Sequence, residues 1–308
     1  MLTVGFCGSG AFAADCLERI SSAVKPEWVI TNAPKPAGRG MQLRPTEVSL
    51  MAEKLNIVSK TTKHISSDAE ILSWISENCP DIIFVIDFGH IIKEPMLSMP
   101  KLGCINIHPS ELPRYRGSAP VQTALIDGAD ITAVTIFRLN DGMDSGPILS
   151  QVKVRIDIND NTDSLLAKCA EAGCNELIRL LTSVPAQDWK FTPQTDTGVS
   201  FAPKIEKSKG KINWDQSADS IYNLIRAIGD LTGTFCMLSG KRLRIHKVSI
   251  VDETGAPSQI ISTQDGFPVI ACGSKSLKLI AVQPEGKKVQ SADEWLRGAR
   301  LNIGDVLE

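Results

Sequence analysis

A chain of 308 residues with 43% apolar content is long enough for two ordinary domains and has the composition of a globular protein. No apolar run is long enough to span a bilayer, and the start, Met1-Leu2-Thr3-Val4-Gly5, lacks the basic region and cleavage site of a signal peptide, so a first strand is expected there and no membrane partner. With 33 Lys and Arg against 35 Asp and Glu, the sign of any partner must be read from where the charges fall. The eight cysteines are scattered, none spaced as C-x-x-C, which points to reduced core thiols in a cytoplasmic protein and against zinc.

Residues 2–7 form an apolar strand, Gly8-Ser9-Gly10-Ala11-Phe12-Ala13 a glycine-bearing turn, and a helix follows to about Ser22. This is the opening of a doubly wound α/β fold. The turn also fits G-x-G-x-x-A, but a dinucleotide site expects an acid at the end of the second strand, and Trp28-Val29-Ile30-Thr31 ends in Asn32 with no acid nearby. Residues 32–45 make a loop too long for an ordinary connection, with Lys35, Arg39 and Arg44 and no acid. Such a loop is either plain solvated surface or a contact for a phosphate backbone, and its glycines suggest mobility. Glu47 to Leu55 reads as helix, and Ser67-x-x-Glu70 as a capping box for a helix to about Asn78. Asp81 to Ile86 is a strand buried on both faces, leading into Asp87-Phe88-Gly89-His90-Ile91-Ile92, where His90 reads as structural or surface.

The stretch from Gly103 to Leu149 carries the chemistry. Alternation along Cys104-Ile105-Asn106-Ile107 puts Asn106 and His108 on one side and Ile105 and Ile107 on the other. An amide and an imidazole at the carboxyl end of an apolar strand serve no packing need. Pro109 and Pro113 stiffen the exit, and Arg114-Tyr115-Arg116-Gly117 makes a basic turn. A helical run from Ala119 to Ile126 and a strand from Ala133 to Leu139 lead to a turn, 140–146, that offers Asp144 beside two glycines. Asn can donate to a developing oxyanion, His can donate there or move a proton, and Asp can orient the His or help deprotonate an attacking amine. No Ser or Cys is paired to a base here, so direct transfer to a nucleophile brought by the substrate suits the set better than a covalent intermediate.

Leu149 to Ile156 reads as a strand and Asn161 to Leu181 as a helix, with Leu166, Ala170, Gly173, Leu177 and Leu181 at helical spacing. Periodicity fades from Val184 to Pro203, as in a linker. Beyond it come a helix, Ala218 to Ile228, and strands at 234–238, 242–251, 258–263, 268–271 and 277–282, an OB-like barrel pattern, then a last helix capped by Ser291-x-x-Glu294. Before residue 204 there are 18 Lys and Arg against 23 Asp and Glu; from there on, 15 against 12. The basic excess gathers at Lys204-Lys207-Lys209-Lys211, Lys241-Arg242-Arg244 and Lys287-Lys288, which suits a polyanion.

Asn106-x-His108, the segment Ser110-Glu111-Leu112-Pro113-Arg114-Tyr115-Arg116-Gly117 and Asp144 resemble the signature of the folate-dependent formyltransferases. Glu111 stands where that pattern has leucine, and Asp87 where a small residue is more familiar. Pro36-Ala37-Gly38-Arg39-Gly40, Phe201-Ala202-Pro203-Lys204-Ile205, Ile212-Asn213-Trp214 and Gln283-Pro284-Glu285-Gly286-Lys287-Lys288 are similar to the branch of the family that formylates aminoacylated tRNA. In that branch Ile228 to Gly233 more often holds a proline-rich turn.

The resemblance implies a Rossmann-like catalytic domain at 1–184, a linker at 185–205 and an OB-like tRNA-binding domain at 206–308. It implies catalysis by Asn106, His108 and Asp144, and folate contacts at Phe88, Gly89, Ile91, Ser110, Glu111, Leu112 and Pro113. Contacts to tRNA are implied at Lys35, Arg39, Arg44, Lys207, Lys209, Lys211, Lys287 and Lys288. The implied reaction moves the formyl group of 10-formyltetrahydrofolate to the α-amine of methionine on initiator tRNA, in a cytoplasmic monomer that uses neither metal nor NAD. A sugar-nucleotide formyltransferase predicts an amino-sugar acceptor instead, and a nucleotide- or RNA-binding module predicts binding without turnover. An NAD oxidoreductase needs the first turn to function without its acidic partner.

Overall fold

The computed structural model describes residues 2–37, 42–229 and 233–308. It separates into two units. The first is Met1–Pro120, Asp130–Ile156 and Asp163–Pro203; the second is Val121–Ala129, Asp157–Thr162 and Lys204–Glu308.

The first unit begins with β1 (Val4–Gly8), whose five residues are all buried, then α1 (Ala11–Ser21) and β2 (Trp28–Asn32). Where the sequence suggests one long loop, β3 (Lys35–Ala37) and β4 (Gln42–Arg44) pair as an antiparallel ribbon with Lys35 opposite Arg44. The intervening Arg39 lies outside the described residues. The helix α2 (Glu47–Lys54) is capped by Thr46, whose hydroxyl accepts the Ser49 N–H at 3.0 Å.

A strand the apolar pattern does not reveal follows, β5 (Val58–Thr62), at the edge of the sheet. Its sequence, Val-Ser-Lys-Thr-Thr, has β-branched residues but little apolar content, as an edge strand allows. For α3 (Ala69–Glu77) the cap is Asp68 and not Ser67: Asp68 Oδ1 accepts the Ile71 N–H at 3.2 Å, while Ser67 Oγ donates to the His64 carbonyl from a 3-10 turn. Next come β6 (Ile82–Ile86), buried throughout, and β7 (Cys104–His108). They are followed by α4 (Pro120–Ile126), β8 (Ile131–Arg138), β9 (Ile148–Arg155) and α5 (Thr162–Ser183).

The strand order is β5-β2-β1-β6-β7-β8-β9, parallel from β5 through β7 and antiparallel for β8 and β9. The order reverses between β1 and β6, and the carboxyl ends of strands at such a reversal are where sheets of this kind bind ligands. The stretch expected as a linker is built into this unit as far as Pro203: Thr192 and Ile148 exchange backbone hydrogen bonds, and the Arg116 and Ala202 backbones pair.

In the second unit, α6 (Ala218–Ile228) is capped by Ser217, which accepts the Ser220 N–H at 3.1 Å. The strands are β10 (Thr234–Leu238), β11 (Lys241–Val251), β12 (Ile260–Gln264), β13 (Phe267–Ala271), β14 (Ser276–Pro284) and β15 (Gln290–Ser291). The last helix is α7 (Ala292–Ala299). Its expected cap, Ser291, stands in place, but its hydroxyl donates to the Asp293 carboxylate and makes no capping bond to the backbone.

The turns Ser239-Gly240 and Asp265-Gly266 have positive φ at both residues, the twist that hairpin strands require. The sheet runs β10-β11-β14-β13-β12 with β15 beside β14, all antiparallel. Its outer strands do not pair with each other; residues 305–308 bridge them. Glu308 exchanges backbone hydrogen bonds with Met237 of β10, while Asp305 and Leu307 pair with Ile260 and Ser258.

Leu307 is fully buried in a core shared with Leu243, Ile245, Val282 and Trp295. Leu307→Ala therefore removes packing at the seam itself. The expected loss is about 3 kcal/mol, read as a lower unfolding midpoint of the second unit in a thermal melt.

Candidate active site

All three expected catalytic residues lie in the first unit, and two of them lie on β7. Period-two alternation puts Asn106 and His108 on one side, opposite Phe137 and Thr135 of β8. Asn106 is half-buried, and its amide has no hydrogen-bond partner among the described residues. A free donor is thus held ready at the carboxyl end of the sheet. His108 is buried, edge-on to Phe137 at 6.3 Å, with Nε2 at 3.1 Å from the Tyr115 carbonyl oxygen. A carbonyl can only accept, so Nε2 carries the hydrogen and Nδ1 is the ring atom left for chemistry. That Nδ1 lies 3.9 Å from Asp144 Oδ2. This is beyond a direct hydrogen bond, so Asp144 acts on the imidazole as a nearby charge.

Asp144 sits in the left-handed region at φ +46° and is held at both ends. Oδ2 accepts the Gly117 N–H at 2.7 Å. Its carbonyl accepts from Gln194 Nε2 at 2.8 Å, and the same nitrogen donates to the Gly146 carbonyl. Gln194 Oε1 in turn accepts from Arg116 Nε and Nη2 at 3.1 and 2.6 Å. Gly117 has φ +121°, and a Cβ there would stand 2.7 Å from the Ala202 carbonyl oxygen, so no other residue fits. Gln194 was not among the expected site residues. It lies in the polar stretch expected as linker, and a lone glutamine there carries no periodic or spacing signal.

The segment Ser110 to Pro113 is shaped from within. Ser110 and Leu112 are buried, and Ser110 Oγ donates to the Arg114 carbonyl at 2.8 Å. Thr135 Oγ1 donates to the Ser110 carbonyl and accepts from the Leu112 N–H and Gln151 Nε2, which also donates to the Leu112 carbonyl. Neither Thr135 nor Gln151 stands out in sequence. Glu111 forms an ion pair with Lys153, and Pro113 is half-buried. In the other expected folate segment, the Phe88 ring is buried, Ile91 is exposed, and Gly89 is open to solvent at φ +73°. Asn32 ties this loop down: Nδ2 donates to the Phe88 carbonyl at 3.0 Å and Oδ1 meets His90 Nε2. Burial, and then the His64 and Lys35 charges, hold the His90 pKa below its usual value.

Asp87 closes β6 at the point where the strand order reverses. Its backbone is left-handed at φ +43°, and its carbonyl accepts the N–H groups of Ser9 and Gly10. A Cβ on residue 10 would stand 2.0 Å from Asp87 Oδ2, so the carboxylate holds this position because residue 10 is glycine and would have to turn away from any larger residue. The side chain is open to solvent, yet surrounding protein strips enough water, with Glu47 adding repulsion, to push the carboxyl pKa up to about 6.

The expected basic contacts fall in two places. Lys35 and Arg44 face each other on the β3–β4 ribbon of the first unit. In the second unit Lys207 and Lys209 lie on a 3-10 turn, Lys211 bridges to Phe235 of β10, and Lys287 and Lys288 follow β14.

A family profile described as Formyl transferase matches residues 4–181, and one described as Formyl transferase, C-terminal domain, matches 204–300. The methionyl-tRNA formyltransferase of Thermodesulfovibrio yellowstonii is 34% identical over 301 residues, covering 97% of this chain and 96% of its own. That of Geobacter metallireducens is 34% identical over 304 residues, covering 98% and 97%. Among solved structures, the N-formyltransferase from Helicobacter canadensis, in complex with folinic acid and dTDP-3-aminofucose, superposes with a TM-score of 0.67 at 21% identity, over 91% of this chain and 99% of its own. That likeness is one of fold.

The Asp87 environment has a measurable signature. A carboxyl whose pKa rises from 3.8 to about 6 on folding binds its proton more tightly in the folded state. Its contribution therefore turns unfavourable as pH rises through that window. Asp87→Asn is expected to raise the thermal unfolding midpoint at pH above 6, with the gain fading to nothing near pH 4 in melts across the range.

Proposed function

Because the chain belongs to the methionyl-tRNA formyltransferases, we propose how its own residues carry out that reaction. The chain is a transferase that places a formyl group from a folate donor on the amine of methionine carried by tRNA. In our reading the donor is 10-formyltetrahydrofolate, the acceptor is the initiator species, and the enzyme works as a cytoplasmic monomer. Seven of the eight free cysteines are buried, which suits a reducing compartment, and no described helix is long and apolar enough to cross a membrane.

The loop at 88–91 suits a flat, amide-edged ring. The Gly89 backbone is exposed, and its main-chain groups form no hydrogen bonds with the described residues. Ser110, Glu111, Leu112 and Pro113 would shape the neighbouring wall, and the bound donor supplies an N-formyl carbonyl. The amine must be neutral to attack it. Asp144 Oδ1 accepts no hydrogen bond among the described residues, so it can take the amine proton directly or through one water while Oδ2 stays on Gly117. As the carbonyl oxygen gains charge, the unpartnered Asn106 amide donates to it, and His108 in its protonated form donates from Nδ1 beside Asp144. The adduct then collapses by breaking its bond to the folate nitrogen, which leaves with the proton that Asp144 took from the amine. The observation that carries this reading is the convergence of the free Asn106 amide, His108 Nδ1 and Asp144 at one strand end.

The experiment is formyl transfer from 10-formyltetrahydrofolate to charged initiator Met-tRNA, with charged elongator Met-tRNA and an amino-sugar nucleotide run alongside. Transfer to the initiator alone is expected; transfer to the sugar alone overturns the acceptor assignment. In that assay Asn106→Ala and His108→Ala are each expected to lose ~100- to 1000-fold in turnover while still melting cooperatively as folded proteins. Near-normal turnover in either removes its role.

A further inference from the structure

The same two-residue period that fills the core of the second unit lays out a second surface on its other side. Along β11 Leu243 and Ile245 point inward, which turns Arg242 and Arg244 outward. Register places Phe235 of β10, Arg244 and Gln283 of β14 in one row across three strands, with Met237 opposite Arg242 in the next. Met237, Arg242, Arg244 and Gln283, together with Pro284 and Glu285, line a recess of about 560 Å³. The Arg242 guanidinium lies over the Phe235 ring, 3.8 Å from its centroid, which restrains it on the outward face.

Neither Arg242 nor Arg244 has an ion pair among the described residues. Glu285, the one acid of the lining, has Oε2 on the Arg242 main-chain N–H at 3.0 Å. Arg244 stands against Gly233, where a Cβ would crowd Nε at 3.2 Å. Gln283 is already committed, with Oε1 at 3.3 Å from His246 Nε2 and Nε2 donating to the Lys287 carbonyl. It thereby holds the turn bearing Lys287 and Lys288 at the rim, while Lys211 pairs beside Phe235 at the opposite edge. Two guanidinia on alternate outward positions of one strand, with no ion pair among the described residues and with lysines at two edges, form a fork for an oxyanion on a long polyanion.

Resting on the tRNA reading above, we infer that the outward face of β10, β11 and β14 clamps a phosphodiester of the tRNA backbone between Arg242 and Arg244. The contact is to phosphate, so it sets affinity and register and reads no base. It acts on acceptor binding and leaves the chemical step alone.

The test is formyl transfer by the full chain to charged initiator tRNA over a range of KCl concentrations. Arg244→Ala is expected to raise KM for Met-tRNA about tenfold at low salt, to leave kcat unchanged, and to reduce the slope of log kcat/KM against log salt by about one. Arg242→Ala should behave alike, Arg244→Lys should keep the slope, and Glu285→Gln should lower KM. A raised KM with the full salt slope retained means a structural role and overturns the inference, as does a fall in kcat with KM unchanged. If the unaltered chain formylates tRNA and Arg244→Ala matches its KM and slope, this inference alone fails. If the unaltered chain formylates no tRNA, both readings fall together.

Discussion

The hydrogen bond from His108 Nε2 to the Tyr115 carbonyl commits the imidazole before any substrate arrives. With that nitrogen occupied, the ring can serve the reaction only through Nδ1, and Asp144, the acid paired with the ring among the described residues, lies on that side. Holding the carbonyl in place requires an unusual turn. Tyr115 is left-handed at φ +59°, Gly117 can be nothing but glycine, and the backbone of 115–119 is bonded to residues 200–202. Arg116 then reaches Gln194, and Gln194 reaches the Asp144 turn. The short stretch after β7 thus joins both halves of the catalytic set, and the polar segment after α5 locks it.

Much of this was legible in sequence wherever chemistry conflicted with packing. Apolar runs identified β1, β6 and β7, and an amide and an imidazole at the end of such a run had no packing explanation. Elements whose stability comes from neighbours were harder to see. The polar edge strand β5 is recruited by β2, and the β3–β4 ribbon by its own pairing. The supports of the site were least visible, because Thr135, Gln151, Gln194 and Ser200 gain meaning only through partners 16 to 85 residues away. Local rules also competed at close range. Asp68 rather than Ser67 caps α3, because both side chains can do so and the 3-10 turn before the helix decides between them.

The second unit divides its labour by face. Inward positions of β10, β11 and β14 make a core closed by residues 305–308, and the alternate positions of β11 carry Arg242 and Arg244. Because adjacent residues point opposite ways, stability and charge can be altered independently along one strand. Net acidity in one part of the chain and net basicity in the other are therefore compatible with a nearly neutral whole.

The contact between Gly10 and Asp87 also constrains the paths by which relatives of this chain can diverge. A larger residue at position 10 collides with the carboxylate, whereas a smaller residue at position 87 collides with nothing and opens the space that position 10 lacks. The two sites are therefore coupled: a side chain at position 10 requires the residue 87 carboxylate to turn away or to be replaced. Change at the first glycine turn thus carries a cost set by a residue 77 positions further along the chain.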